Sequence, residues 1–265
     1  MKAHLKPVTL ATGKVIGDRI DGKWITMSNA LTRACHGLTL AEKRIVMIAV
    51  AKLDSKKRQP KENHGVLKTQ IDAKEYAEQF GLELHTAHEQ LRDAAKVLYE
   101  RSITFYIEAH NRKGNFIDDP AQVSMRWIGS KVLYPEEGVA SIQLSWNPEL
   151  VPHLTGLRKQ FTSYQLRQAS ALRSIYSWKL LELLMRFEKT GWAEYTVEDF
   201  CESMGATEKQ RANFNNIRRK ILDPAIKELT EKDHWEIELT TMKRGRRITR
   251  LCFDFKRNDQ LKLNL

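Results

Sequence analysis

Three cysteines in 265 residues, Cys35, Cys201 and Cys252, are too few and too scattered to staple a fold. They form no C-x-x-C pair, so neither a zinc site nor a disulfide framework is expected, and each reads as a small buried hydrophobe. No stretch approaches the roughly 18 uninterrupted apolar residues of a membrane span. The first thirty residues lack the apolar core of a signal peptide, so a cytoplasmic protein with no membrane partner is expected. A G-x-x-x-x-G-K-[ST] loop to cradle triphosphate is missing. So is the His-apolar-His metal motif of strand-nicking enzymes: His85 and His88 are spaced H-x-x-H at a charged helix start with no third ligand. Asp118-Asp119-Pro120 reads as a turn rather than a nuclease centre. The expectation is a protein that is not an enzyme and holds no metal or cofactor.

Acidic side chains are the scarcer sign: 33 Asp and Glu against 44 Lys and Arg leave a net charge of +11. A basic balance suits a polyanionic partner, but the distribution says more than the sum. Between Lys209 and Lys220 (KQRANFNNIRRK) there are five cations and no carboxylate, and between Lys243 and Arg250 (KRGRRITR) five more. These two short runs hold ten positive charges, nearly the whole excess.

The coarse pattern is α+β and comes in two similar halves. An arm covers residues 1–27. The first half, 28–150, opens on a helix in SNALTRA that stops at His36-Gly37. Thr39 and Glu42 have capping-box spacing ahead of a helix carrying Ile45, Ile48, Ala49 and Leu53. Residues 54–64 read as a loop. Asp72 then caps AKEYAEQF, Gly81 stops it, and a second helix runs from Thr86 to Glu100 before β-rich segments at 103–109, 123–129, 132–134 and 140–146. The second half follows the same order: a short helix at Trp146–Glu149, a long amphipathic helix from Ala169 to Phe187, VEDFCESM closed by Gly205, a basic helix from Arg211 to Leu229, and a hairpin of 235–242 with 248–255. Helix, short helix, Gly turn, second helix and hairpin is the order of a winged helix. Two winged-helix domains in tandem are therefore expected, the second over 160–257. Pro224 inside the basic helix implies either a kink or a new helix beginning after Asp223.

A helix in the major groove needs Arg or Lys for guanine and Asn or Gln for adenine, with cations for the flanking phosphates. Lys209, Arg211, Asn213, Asn215, Asn216, Arg218, Arg219 and Lys220 supply both classes, with Phe214, Ile217, Ile221 and Leu222 as the inward stripe. The turn with Lys243, Arg244, Arg246 and Arg247 repels itself unless an anion lies across it, which suits a wing on the phosphate backbone. The first half is the weaker reader. His88, Arg92 and Lys96 are interleaved with Glu89, Asp93 and Glu100, and only Arg112 and Lys113 mark its hairpin turn. Backbone contact or pairing with another copy is the role expected of it.

The passages LTLAEKRIVMIAVAKL, LRDAAKVLYERSITF, SIYSWKLLELLMRF and FNNIRRKILDPAIKELTEKDHWEIELTTMKRGRRITRLCFDF together resemble the iteron-binding replication initiator (Rep) family of theta-replicating bacterial plasmids. The resemblance spans roughly residues 28–256, and Asp223-Pro224-Ala225 with the basic turn is its most specific part. It implies two winged-helix domains that bind repeated duplex origin sites (iterons), the C-terminal one reading the major groove. The N-terminal one would contact backbone and mediate dimerisation. It further implies autorepression by dimers at an inverted repeat, and host initiator and replicative helicase as partners. A winged-helix transcriptional repressor that never opens an origin is the alternative.

Overall fold

The computed structural model describes residues 23–57, 66–110, 116–134 and 141–258. Strand β1 (Trp24–Ser28) leads into α1 (Asn29–Arg33), the short β2 (Cys35–His36) and α2 (Leu40–Ala51). Then come β3 (Lys68–Asp72), α3 (Ala73–Phe80) and α4 (Leu84–Val97), which ends in a single 3-10 turn. A hairpin of β4 (Ser102–His110) and β5 (Phe116–Arg126) precedes β6 (Ile128–Tyr134) and β7 (Ser141–Trp146). The sequence then starts over. β8 (Phe161–Gln165), α5 (Leu166–Ser170), α6 (Ile175–Met185), β9 (Trp192–Thr196) and α7 (Val197–Met204) repeat the opening order. Short turns α8 (Glu208–Arg211) and α9 (Phe214–Ile217) lead to α10 (Asp223–Asp233) and the hairpin β10 (Trp235–Arg244) and β11 (Arg247–Arg257).

The repeat is visible in sheet order. The first half pairs β3-β7-β6 and the second β9-β11-β10, all antiparallel, so the same element holds the centre of each sheet. The two leading strands, β1 and β8, pair with each other from Trp24↔Gln165 to Ser28↔Phe161. Two winged helices therefore share one ribbon where their copies meet.

Local chemistry sets the helix starts and stops. Thr39 and Glu42 form the expected capping box, with Thr39 N–H donating to Glu42 Oε2 at 2.8 Å. Gly81 and Gly205 end α3 and α7 at φ +60° and +63°, in the left-handed region that a side chain would strain.

Four expectations change. The arm expected through residue 27 gives way to strand from Trp24, because Ile25 and Met27 are buried against the core. Trp146–Glu149 is not the start of the second repeat. It leads into a 3-10 turn at Val151–His153, and the repeat begins at β8. The expected helix from Ala169 to Phe187 is two helices, broken between Ser170 and Ile175. The second of these, α6, is buried on all sides from Ser177 to Met185, not on one stripe. Finally, the β4–β5 hairpin does not correspond to the C-terminal wing. It forms a separate sheet with β2, and β6–β7 takes the place of β10–β11.

The charged residues inside α6 survive because each finds a partner from the other elements around it, whereas the buried Ser177 hydroxyl has none among the described residues. Lys43 of α2 meets Glu182 at 2.8 Å, with side chains 2% and 1% exposed. Tyr164 of β8 donates to Glu182 Oε1 at 2.7 Å and accepts from Trp178 Nε1 at 2.8 Å. Lys179 donates to the Ser203 carbonyl at 2.8 Å. Burial and the nearby Lys43 push the Lys179 ammonium down to about 8, and burial with the same lysines holds His36 well below the usual imidazole range.

Replacing Lys43 by Met leaves the Glu182 carboxylate buried without its cation and should cost about 3–5 kcal/mol, read from the urea midpoint at neutral pH. Lys179 gives a second expectation. Its ammonium is disfavoured in the folded chain, so between pH 8 and the unfolded value near 10.5 the unfolded chain holds the extra proton. Stability should therefore rise with pH through that window, and Lys179→Met should flatten the rise in a pH series of denaturation curves.

Candidate nucleic-acid interface

The second helix-turn-helix is assembled by short-range hydrogen bonds. Thr196 starts α7 by accepting from Asp199 N at 3.0 Å. After the Gly205 turn, Thr207 and Gln210 form a capping box, Thr207 N–H donating to Gln210 Oε1 at 2.8 Å. Asn213 Oδ1 accepts from Asn216 N at 2.9 Å and so begins the recognition helix, α9 and α10 in sequence.

Between α9 and α10 the helix widens. Residues Arg218–Leu222 form a π-turn in which Asp223 N–H reaches back to the Arg218 carbonyl. This resolves Pro224, which has no N–H to give and crowds the carbonyl four residues back in a regular helix. The widened turn moves that carbonyl away, and α10 proceeds with Pro224 in its first turn. One extra residue also lets Arg218, Arg219 and Lys220 face outward in succession between buried Ile217 and Ile221.

The eight candidates between 209 and 220 thus separate by what their side chains already do. Arg211 Nε donates to the Ala206 carbonyl at 2.9 Å, and Asn216 Nδ2 to the Lys209 carbonyl at 3.0 Å. With the Asn213 cap, these three build the frame. Arg218 lies 3.4 Å from Asp223, both exposed. Lys209, Asn215, Arg219 and Lys220 are exposed and make no side-chain ion pair among the described residues.

At the hairpin tip Arg244 pairs with Arg247, leaving Gly245-Arg246 as a two-residue turn with Gly245 at φ +61°. Lys243, Arg244, Arg246 and Arg247 are all exposed, and none pairs with a carboxylate among the described residues. Arg250, farther down β11, is instead bound to Glu194.

The equivalent helix of the first half, α4, is electrostatically quieter. Lys96 lies 2.9 Å from Asp93 and Arg92 3.7 Å from it, while Glu89 faces His85 at 3.8 Å. The hydrogen bond and charge of Lys96 hold the Asp93 carboxyl below its ordinary range. His88 is half-buried on the same helix. Lys131 donates to the carbonyls of Ala95 and Lys96 and closes its C-terminal end. Arg112 and Lys113 lie outside the described residues, as does the segment 135–140 between β6 and β7, which carries Glu136 and Glu137 and no cation.

Sequence reasoning missed the residues that hold the recognition helix in place. Gln210 Nε2 donates to Tyr176 Oη at 2.9 Å, and Glu228 accepts from the backbone of Arg173 and Ser174. The T-x-x-Q spacing at Thr207 was a readable signal of the first; the second has no local signature.

Known proteins match along the same lines. A family model described as the WH1 domain of initiator replication proteins matches residues 24–185. One described as the WH2 domain of initiator Rep proteins matches residues 196–255. The PI protein of Escherichia coli is 26% identical over 249 residues, covering 86% of this chain and 80% of that relative. An uncharacterised 27.6 kDa protein of Escherichia coli is 24% identical over 213 residues, covering 78% and 85%. The crystal structure of the Pi initiator protein in complex with iteron DNA superposes with a TM-score of 0.70 at 21% identity, over 90% of this chain and 99% of that one. That last likeness is one of fold.

The separation of frame from free side chains is testable. Asn213→Ala should lower stability by about 1 kcal/mol through the lost cap, whereas Asn215→Ala should leave the denaturation midpoint unchanged.

Proposed function

The chain belongs to the replication initiator (Rep) family, and on that premise we propose that it binds repeated duplex origin sites sequence-specifically to start plasmid replication. The observation that carries this reading is the outward-facing row of Arg218, Arg219 and Lys220 on a capped recognition helix, the last two without an acidic partner among the described residues, with four more unpaired cations on the wing. Asn215, Arg218, Arg219 and Lys220 take base edges and adjacent phosphates in the major groove. Lys243, Arg244, Arg246 and Arg247 lie on the phosphate backbone, and Lys209 extends that contact ahead of the helix.

The first half, whose α4 cations are answered by neighbouring acids, contributes backbone contact through His88, Arg92 and Lys96 and pairs with a second copy. Such dimers would repress the protein's own gene at an inverted repeat, and the bound monomer would recruit host initiator and replicative helicase. The chain acts by binding and catalyses no bond cleavage, in the cytoplasm where plasmid DNA resides. No helix among the described residues is long and apolar enough to cross a membrane.

Selection from random duplexes at about 150 mM salt should enrich a single motif of roughly 17–22 base pairs, two groove faces one turn apart. Enrichment of nothing, or of only a few base pairs, would reject the reading. On the selected duplex, Arg219→Ala should cost about 1–3 kcal/mol and relax one position, while Lys243→Ala should weaken all sequences alike and lower the salt slope by about 1. With six to ten phosphates neutralised, affinity should drop on the order of 10³–10⁵ between 50 and 200 mM salt. Metal-dependent cutting of a labelled duplex would show an enzyme instead.

A further inference from the structure

The chain entering α6 contacts the reading unit at two places, α8 just ahead of the recognition helix and α10 within it. Ahead of that helix, Tyr176 Oη receives the Gln210 amide at 2.9 Å, and Gln210 Oε1 in turn holds the Thr207 amide at 2.8 Å and hydroxyl at 3.0 Å. Behind it, the Glu228 carboxylate on α10 accepts from the Arg173 and Ser174 amides at 2.7 and 3.2 Å. Four residues of chain, Arg173 to Tyr176, therefore fix two points 18 residues apart in sequence: Gln210 on α8, just ahead of the recognition helix, and Glu228 on α10 within it.

The same short segment is held from the first half. Arg44 of α2, almost wholly buried, donates from Nη2 to the Leu172 carbonyl at 2.9 Å, with its guanidinium 5.0 Å over the Phe80 ring. Gln79 of α3 adds a second bond from the first half, donating to Ser170 Oγ at 2.6 Å at the end of α5.

A helix that reads base edges must sit within a fraction of an ångström, because a hydrogen bond to the wrong edge fails steeply with distance and angle. Phosphate contacts by long flexible cations tolerate more. We propose that Glu228 and Tyr176 are specificity-determining positioning residues: they set the pose of the recognition helix and so control base reading without touching DNA. A carboxylate at Glu228 would be repelled by phosphate, and two backbone amides of this chain satisfy it instead. Arg44 extends the arrangement across the molecule, so that the pose of the C-terminal reader is referenced to the N-terminal half. The inference rests on the duplex-reading function above.

The test compares the full chain with Glu228→Ala, Glu228→Gln and Tyr176→Phe on the selected duplex and on a scrambled duplex of equal length. The ratio of the two affinities is measured across a salt series. Glu228→Ala should lower the specific-to-scrambled ratio about tenfold, equivalent to ~1.4 kcal/mol, and Tyr176→Phe severalfold. Affinity for the scrambled duplex and its salt slope should stay at the wild-type values, since every cation is intact. Glu228→Gln keeps a carbonyl acceptor and should recover most of the ratio. An unchanged ratio in the folded variants, or equal losses on both duplexes, would overturn the proposal. Should circular dichroism show Glu228→Ala unfolded, Tyr176→Phe, which removes a single oxygen, decides alone. A wild-type chain that does not discriminate between the duplexes would remove the reading function and this inference with it.

Discussion

Everything in this molecule is arranged around one helix that has no face toward solvent. A helix buried on all sides must be apolar or must find partners for its charged groups, and α6 answers Lys179 and Glu182 with Lys43, Tyr164 and the Ser203 carbonyl. These partners come from α2, from β8 and from the end of α7, so satisfying one helix fixes three other elements in place. A buried ion pair adds little net stability over an apolar substitute, but it tolerates far fewer arrangements. Here the demand for a partner defines how the two winged helices meet.

The shared plan has been put to different uses in its two copies. Both sheets have the same strand order, yet only the second copy's helix carries neighbouring cations, Arg219 and Lys220, that no carboxylate answers among the described residues. The first spends its extra length on the β4–β5 hairpin, inserted between its second helix and its wing strands. The two equivalent helices differ in charge placement, α4 interleaving its cations with the acids that answer them.

Locally encoded features were readable from the sequence. Thr39 with Glu42, Gly81, Gly205 and the alternation on either side of KRGRR act over two to five residues, and each occurs where the pattern placed it. The concentration of cations at 209–220 and 243–250 needed no structure at all. What escaped depends on distant partners. Lys179 and Glu182 read as the wet side of an amphipathic helix because the residues that bury them are far away in the chain, Lys43 lying 139 positions from Glu182. Trp24–Met27 reads as part of an arm because its pairing strand begins only at Phe161. Asn213 and Asn216 carry amides that serve caps and adenines equally well, and that both make local bonds at the start of the recognition helix is legible only in its geometry.

The π-turn leaves a numerical trace in the apolar stripe of the recognition helix. Ile217, Ile221, Leu222, Ala225 and Leu229 are buried at offsets of 0, 4, 5, 8 and 12. Removing one residue from the turn would convert these to 0, 3, 4, 7 and 11, the pattern of an uninterrupted α-helix. A related chain one residue shorter here could keep the same core while presenting two cations in place of three. Pro224 would then fall inside a regular helix, where it does not fit. The proline and the extra residue are consequently a matched pair, and a lineage gaining or losing this surface would have to change both together.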